Sequence, residues 1–166
     1  MRLVIADTGP LNYLILLRHI EVLAVLFEKV VLPAAVRNEL ASTKAPPLVQ
    51  HWIASVPEWI EVYEASPGQG EDVSLKGIDA GERAAIQLAY SLHADLLLMD
   101  DRKGAIAAQG KGLRVTGTLG ILDLAAQRGL VDFAQAVGQL RQTNFRFPEA
   151  VLHALLRKHG EEGGPA

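Results

Sequence analysis

"LLLMDDRK", residues 96–103, is an apolar run of strand length that stops abruptly at two adjacent carboxylates, Asp100 and Asp101. The beginning of the chain repeats the pattern in "RLVIADTGP", residues 2–10, where Leu3, Val4, Ile5 and Ala6 lead straight into Asp7. A short apolar run without alternation reads as a strand buried on both faces, which is how strands of a helix-covered parallel sheet look. Further runs stand at 29–32, 59–63 and 113–115. Helical periodicity fills 10–17, 20–27, 34–41, 48–54, 81–92, 103–108 and 119–127, with two more helices expected beyond Phe133. This is a βαβ rhythm, so the chain reads as α/β: a three-layer sandwich with a central parallel sheet of about five strands flanked by helices.

At 166 residues the chain has room for one domain with a real core, expected over 1–158, and the Gly-rich end "HGEEGGPA", 159–166, reads as a frayed tail. "ASPGQGEDVSLKG", 65–77, is the clearest loop. A composition of 49% hydrophobic and 21% charged residues belongs to a globular protein, and a net charge of -3 argues against a broad basic surface for nucleic acid. No cysteine is present, which excludes disulfides, thiolate nucleophiles and Cys-ligated zinc. No apolar segment reaches the length of a signal sequence or a membrane span, so a soluble, cytoplasmic protein with no membrane partner is expected. Helices 10–17 and 20–27 are apolar on more than one face, and this points to a homodimer surface beyond what the core takes up.

Ligands of open parallel sheets bind at the carboxyl ends of the strands, where Asp7, Asp100 and Asp101 would all lie. Helix capping is the structural alternative for each of them, since Asp is a favoured N-cap. Glu82, in "DAGERAAIQLA", heads a stripe with Ala85, Ile86 and Ala89 that turns its carboxylate toward the buried face; the competing role is a capping box with Asp79. Glu39, in "VLPAAVRNEL", borders an apolar helix face beside Val36 and Leu40, and alone it would read as a surface residue. Two like charges 4 Å apart cost on the order of 4 kcal/mol at an effective dielectric of 20, so an acid cluster of this size needs a cationic partner. An all-oxygen set suits Mg²⁺ or Mn²⁺, ions that activate a water for in-line attack on phosphates. Arg37, Arg83, Arg102 and Lys103 stand beside these acids as candidates for holding substrate phosphates. His19, His51, His93, His153 and His159 show no zinc-helix spacing, and no nucleophile elbow, Walker A loop or dinucleotide fingerprint appears.

Taken in order, "ADTGPL", "PAAVRNEL", "DAGERAAIQLA" and "LLLMDDRKG" resemble the acidic motifs of the PIN-domain family, and "VTGTLGIL", 115–122, resembles the closing segment of a bacterial and archaeal branch of it. The resemblance runs over about 2–129 and implies a PIN-like fold with a Mg²⁺- or Mn²⁺-dependent ribonuclease site, as in VapC-type toxins that pair with an antitoxin. Carried over residue by residue, Asp7, Glu39 and Glu82 become metal-site residues. Asp101 takes the usual place of the fourth acid, and Asp100 stands where a spacer is usual. The implied catalytic set is Asp7, Glu39, Glu82 and Asp101, with Asp100 added to the metal ligands. Glu82 stands where Asp is commoner, and Thr8 matches a small hydroxyl residue after the first acid. The implied activity is endonucleolytic hydrolysis of RNA. Its alternative is a PIN-like module that binds RNA or a protein partner without cleaving. A haloacid-dehalogenase-type phosphatase fits worse, since it needs a second Asp where Gly9 stands, and a receiver domain would carry its acidic pair early in the chain.

Overall fold

The computed structural model describes residues 2–64 and 73–163. Among these, five parallel strands form one sheet: β1 (Val4–Ala6), β2 (Val30–Pro33), β3 (Ile60–Tyr63), β4 (Leu96–Leu98) and β5 (Val115–Thr116), in the order β3-β2-β1-β4-β5. All three residues of β1 and of β4 are buried, as expected of runs without polar alternation in the middle of a covered sheet. Their register pairs Val4 with Leu96, Ile5 with Leu97 and Ala6 with Leu98, so the residues that follow emerge side by side. The Asp7 N–H donates to the Leu98 carbonyl at 2.8 Å and carries the pairing one step beyond the strands. The strand order reverses direction between β1 and β4, which makes their carboxyl ends the topological switch point, where such sheets leave a crevice.

Nine helices are described: α1 (Thr8–Leu16), α2 (Val22–Phe27), α3 (Ala34–Ala41), α4 (Pro47–Ile53), α5 (Ala80–Ser91), α6 (Arg102–Gly110), α7 (Thr118–Gln127), α8 (Phe133–Leu140) and α9 (Glu149–Gly163). The periodicity of α5 buries Ala85, Ile86, Leu88 and Ala89, which pack in one cluster with Ile5, Val31, Leu97 and Met99 of the sheet. Small residues at 85 and 89 let the helix approach the sheet closely. In α1 and α2 the apolar excess is largely taken up by the chain's own core: Leu11, Leu14, Ile15, Val22, Leu23 and Phe27 are all buried, while Val25 stays 48% exposed. No described helix is long and apolar enough to cross a membrane. Of the expected loop at 65–77, residues 65–72 lie outside the described residues, and Val73–Leu75 form one 3-10 turn.

The chain falls into two compact units, the first through Thr118, holding the whole sheet, and the second from Leu119 onward. In the second unit α8 buries Phe133, Ala136, Val137 and Leu140, and Asp132 caps it by accepting the Gln135 N–H at 2.9 Å. Residues 159–163, expected within a frayed end, instead continue α9. Asp123 of α7 holds this region by accepting from Lys158 Nζ at 3.1 Å and by pairing with His159 Nε2 at 2.8 Å, and the His159 ring stacks on Phe133 with centroids 4.4 Å apart. Residues 164–166 of that expected tail lie outside the described residues.

Candidate active site

Asp7 follows β1, Asp100 and Asp101 follow β4, Glu39 projects from α3 after β2, and Glu82 lies in the first turn of α5. Asp7, Asp100 and Asp101 stand just past the carboxyl end of a strand and Glu39 in the helix that directly follows one, whereas α5 begins after a 3-10 turn; the surroundings of each acid separate the cap role from a functional one.

Asp7 is 4% exposed and occupies the N-cap position of α1, yet its side chain makes no cap hydrogen bond. Its Oδ1 is buried without a hydrogen-bond partner, an arrangement that costs free energy unless something else compensates it. Burial is the main cause that pushes its carboxyl up to about 7; the Thr8 backbone N–H works the other way, and Glu39, Asp100 and Asp79 add repulsion. Glu82 is also pushed up to about 7, first by desolvation and then by the charges of Asp101, Asp7, Asp79 and Glu39. The capping box weighed for Glu82 rested on Asp79, which makes no side-chain cap hydrogen bond on α5. Mutual repulsion therefore links Asp7, Glu39, Glu82, Asp100 and Asp101 into one electrostatic group.

The other three acids are engaged. Glu39 Oε2 accepts a short hydrogen bond from the Thr8 hydroxyl, which ties α3 to the start of α1. Asp100 accepts twice from Thr118, from its N–H at 2.6 Å and from its hydroxyl at 2.7 Å. It lies between two glycines: a Cβ on Gly9 would stand 3.1 Å from Asp100 Oδ2, and one on Gly117 would stand 2.6 Å from Oδ1. Desolvation raises the Asp100 pKa against the lowering effect of both Thr118 bonds. Asp101 fulfils the capping alternative, since its Oδ2 accepts the Gly104 N–H at 2.8 Å at the start of α6. It nevertheless faces Glu82, for a Cβ on Gly104 would lie 3.4 Å from Glu82 Oε2 and 3.5 Å from Asp101 Oδ2. Among the described residues no three acidic or histidine side chains are arranged to hold a metal ion as they stand.

Because Asn caps a helix about as well as Asp and carries no charge to repel Glu82, Asp101→Asn is expected to keep or raise the thermal midpoint, whereas Asp101→Ala loses the cap, worth about 1 kcal/mol. Thermal unfolding of the two variants separates the cap from the charge.

Of the cations, Arg37 is committed to Glu64 at 3.1 Å and Lys103 Nζ donates to the Gly77 carbonyl at 3.2 Å, while Arg83 and Arg102 are exposed. Sequence reasoning missed Thr118, which is fully buried. Its only signal is a hydroxyl residue just past the fifth strand, in "VTGTLG", and its partner lies 18 residues away.

Comparison with curated proteins gives no match. The profile of a family described as a PIN domain, however, covers residues 3–161 and so spans the sheet and every acid discussed; the chain belongs to the PIN-domain family.

Proposed function

We propose that the chain is a divalent-metal-dependent endoribonuclease that hydrolyses RNA phosphodiesters at the carboxyl ends of β1 and β4. PIN domains are generally nucleases. The observation that carries the reading to this chain is the buried, unpartnered Oδ1 of Asp7 inside a group of mutually repelling carboxylates, at the sheet's switch point. The donor set fits a hard cation such as Mg²⁺ or Mn²⁺, which takes oxygen ligands and would relieve both the orphaned oxygen and the repulsion. Asp7 and Glu82 would hold it. Glu39, Asp100 and Asp101 would join by turning from Thr8, Thr118 and Gly104. When bound, such a cation supplies neutralisation of charge at the scissile phosphate and activation of a water.

The chain's own groups do the rest. Thr8 orients Glu39 and Thr118 orients Asp100 through the hydrogen bonds described. Arg83 and Arg102, each one residue past a site acid and exposed, would take substrate phosphates. The same reading extends to a toxin role with an antitoxin partner, from the resemblance, to a homodimer, from the apolar faces of helices 10–17 and 20–27, and to a cytoplasmic setting, from the composition.

The test is cleavage of a labelled single-stranded RNA panel with Mn²⁺, Mg²⁺ or EDTA, with Asp7→Asn purified in parallel to reveal contaminating nuclease. Metal-dependent cleavage that disappears in the variant is the expected result. Equal silence of both proteins would favour the non-cleaving module, a reading supported by the three acids that already have hydrogen-bond donors.

A further inference from the structure

The first turn of α5 contains a glycine without a conformational reason for one. Among the described glycines, Gly77, Gly112 and Gly129 take positive φ and Gly81 does not. Alanine is favoured over glycine inside a helix because glycine loses more backbone freedom on folding, so Gly81 serves some other need. That need is space. A Cβ on Gly81 would stand 2.6 Å from Glu39 Cδ and 2.8 Å from Glu39 Oε2, with Oε1 closer still. Non-bonded carbon contacts are comfortable only at about 3.5–4.0 Å. All three of the nearest atoms belong to that one carboxyl group, so the space is shaped for it and not for general packing of α3 on α5. The same carboxyl group takes the Thr8 hydroxyl, which fixes it between the starts of α1 and α5.

We infer that Gly81 is a positioning residue for the acidic site: its missing side chain is the notch that seats the Glu39 carboxylate next to the Glu82 turn. The purpose of the notch rests on the metal-site reading proposed above, whereas its steric origin does not. Any residue larger than glycine at 81 pushes the Glu39 carboxylate out of the group formed with Asp7 and Glu82.

The experiment is a thermodynamic cycle on the full chain with Gly81→Ala, Glu39→Ala and the double variant. Gly110→Ala serves as control, because a Cβ there meets no heavy atom within 4 Å. Thermal unfolding in EDTA and calorimetric titration with Mn²⁺ are the two readouts. Gly81→Ala is expected to weaken Mn²⁺ binding at least about tenfold, with the control unchanged in Mn²⁺ affinity. The same Gly81→Ala change is expected to shift the unfolding midpoint more favourably in the Glu39→Ala background than in the unaltered chain, since the clashing group is gone. An equal change of midpoint in both backgrounds, or wild-type Mn²⁺ affinity in Gly81→Ala, would overturn the inference. If Gly81→Ala does not fold, recovery of folding in the double variant supports the notch and failure to recover overturns it. Absence of Mn²⁺ binding by the unaltered chain would defeat the metal reading, and the thermal cycle would then decide the notch by itself.

Discussion

Asp7→Asn is expected to abolish metal-dependent RNA cleavage and, in the same protein, to raise stability when metal is chelated. The two effects have one cause. Burial holds the Asp7 carboxyl at about 7, against 3.8 for the free group. An acid whose pKa is raised by folding keeps its proton longer in the native state, so the contribution of Asp7 to native stability is highest below pH 4, declines as pH rises from about 4 to about 7, and stays at its lower level above that. At 1.36 kcal/mol per pH unit the decline attributable to Asp7 is about 4 kcal/mol. Asn has nearly the same shape and no charge, so it removes this decline. Unfolding in EDTA across pH 4 to 8 should show the wild-type midpoint falling with pH and the variant's midpoint falling less steeply, since Glu82, also pushed up to about 7, keeps its own share of the decline; equal slopes in the two proteins would sink the assignment. On the proposed reading Asp7 is a ligand, and its loss should cost more than the roughly 10- to 100-fold typical of residues that merely support ligands. Saturating Mn²⁺ is expected to stabilise the wild type and to have little effect on Asp7→Asn. The stability gain and the activity loss must appear together, since a fold defect would lower both.

The second large effect lies in the core. Leu97 is fully buried in β4, the strand between β1 and β5, and packs in the cluster with Ile5, Ile86 and Met99. Leu97→Ala removes those contacts and leaves a cavity at the centre of the sheet, at a cost of about 3 kcal/mol. For a chain of this length the midpoint should fall by roughly 10 °C. Because Asp100 and Asp101 follow directly from this strand, loss of activity above ordinary assay temperatures should track the unfolding curve. A variant that keeps its midpoint would mean that the surrounding side chains collapse into the space.

Much of this architecture was legible in the sequence. The unbroken apolar runs ending in Asp7 and in Asp100-Asp101 mark central strands of a covered parallel sheet, and the alanines beside Glu82 mark a helix that can approach it. The order of the acidic motifs pointed to the PIN-domain family, and the family match over 3–161 agrees. The helical reach of α9 was not legible, because "HGEEGG" carries loop composition, and the contacts that hold the region, Asp123 with Lys158 and His159, span 35 and 36 residues.

What the sequence determined by itself was the elements and the positions of the acids along them, since burial on both faces imposes a local apolar pattern and helices impose a local period. The tertiary structure decided which acid does what. Asp7 was open to the capping role that Asp101 in fact fills, and nothing local distinguished them. The difference arises because Gly104 N–H reaches Asp101, whereas Asp7 Oδ1 is enclosed with no donor. Likewise, Thr118 reaches Asp100 across 18 residues and Thr8 reaches Glu39 across 31. Hydrogen bonding and desolvation depend on which atoms are neighbours in space, and the strand order that brings β1 and β4 together is what makes them neighbours.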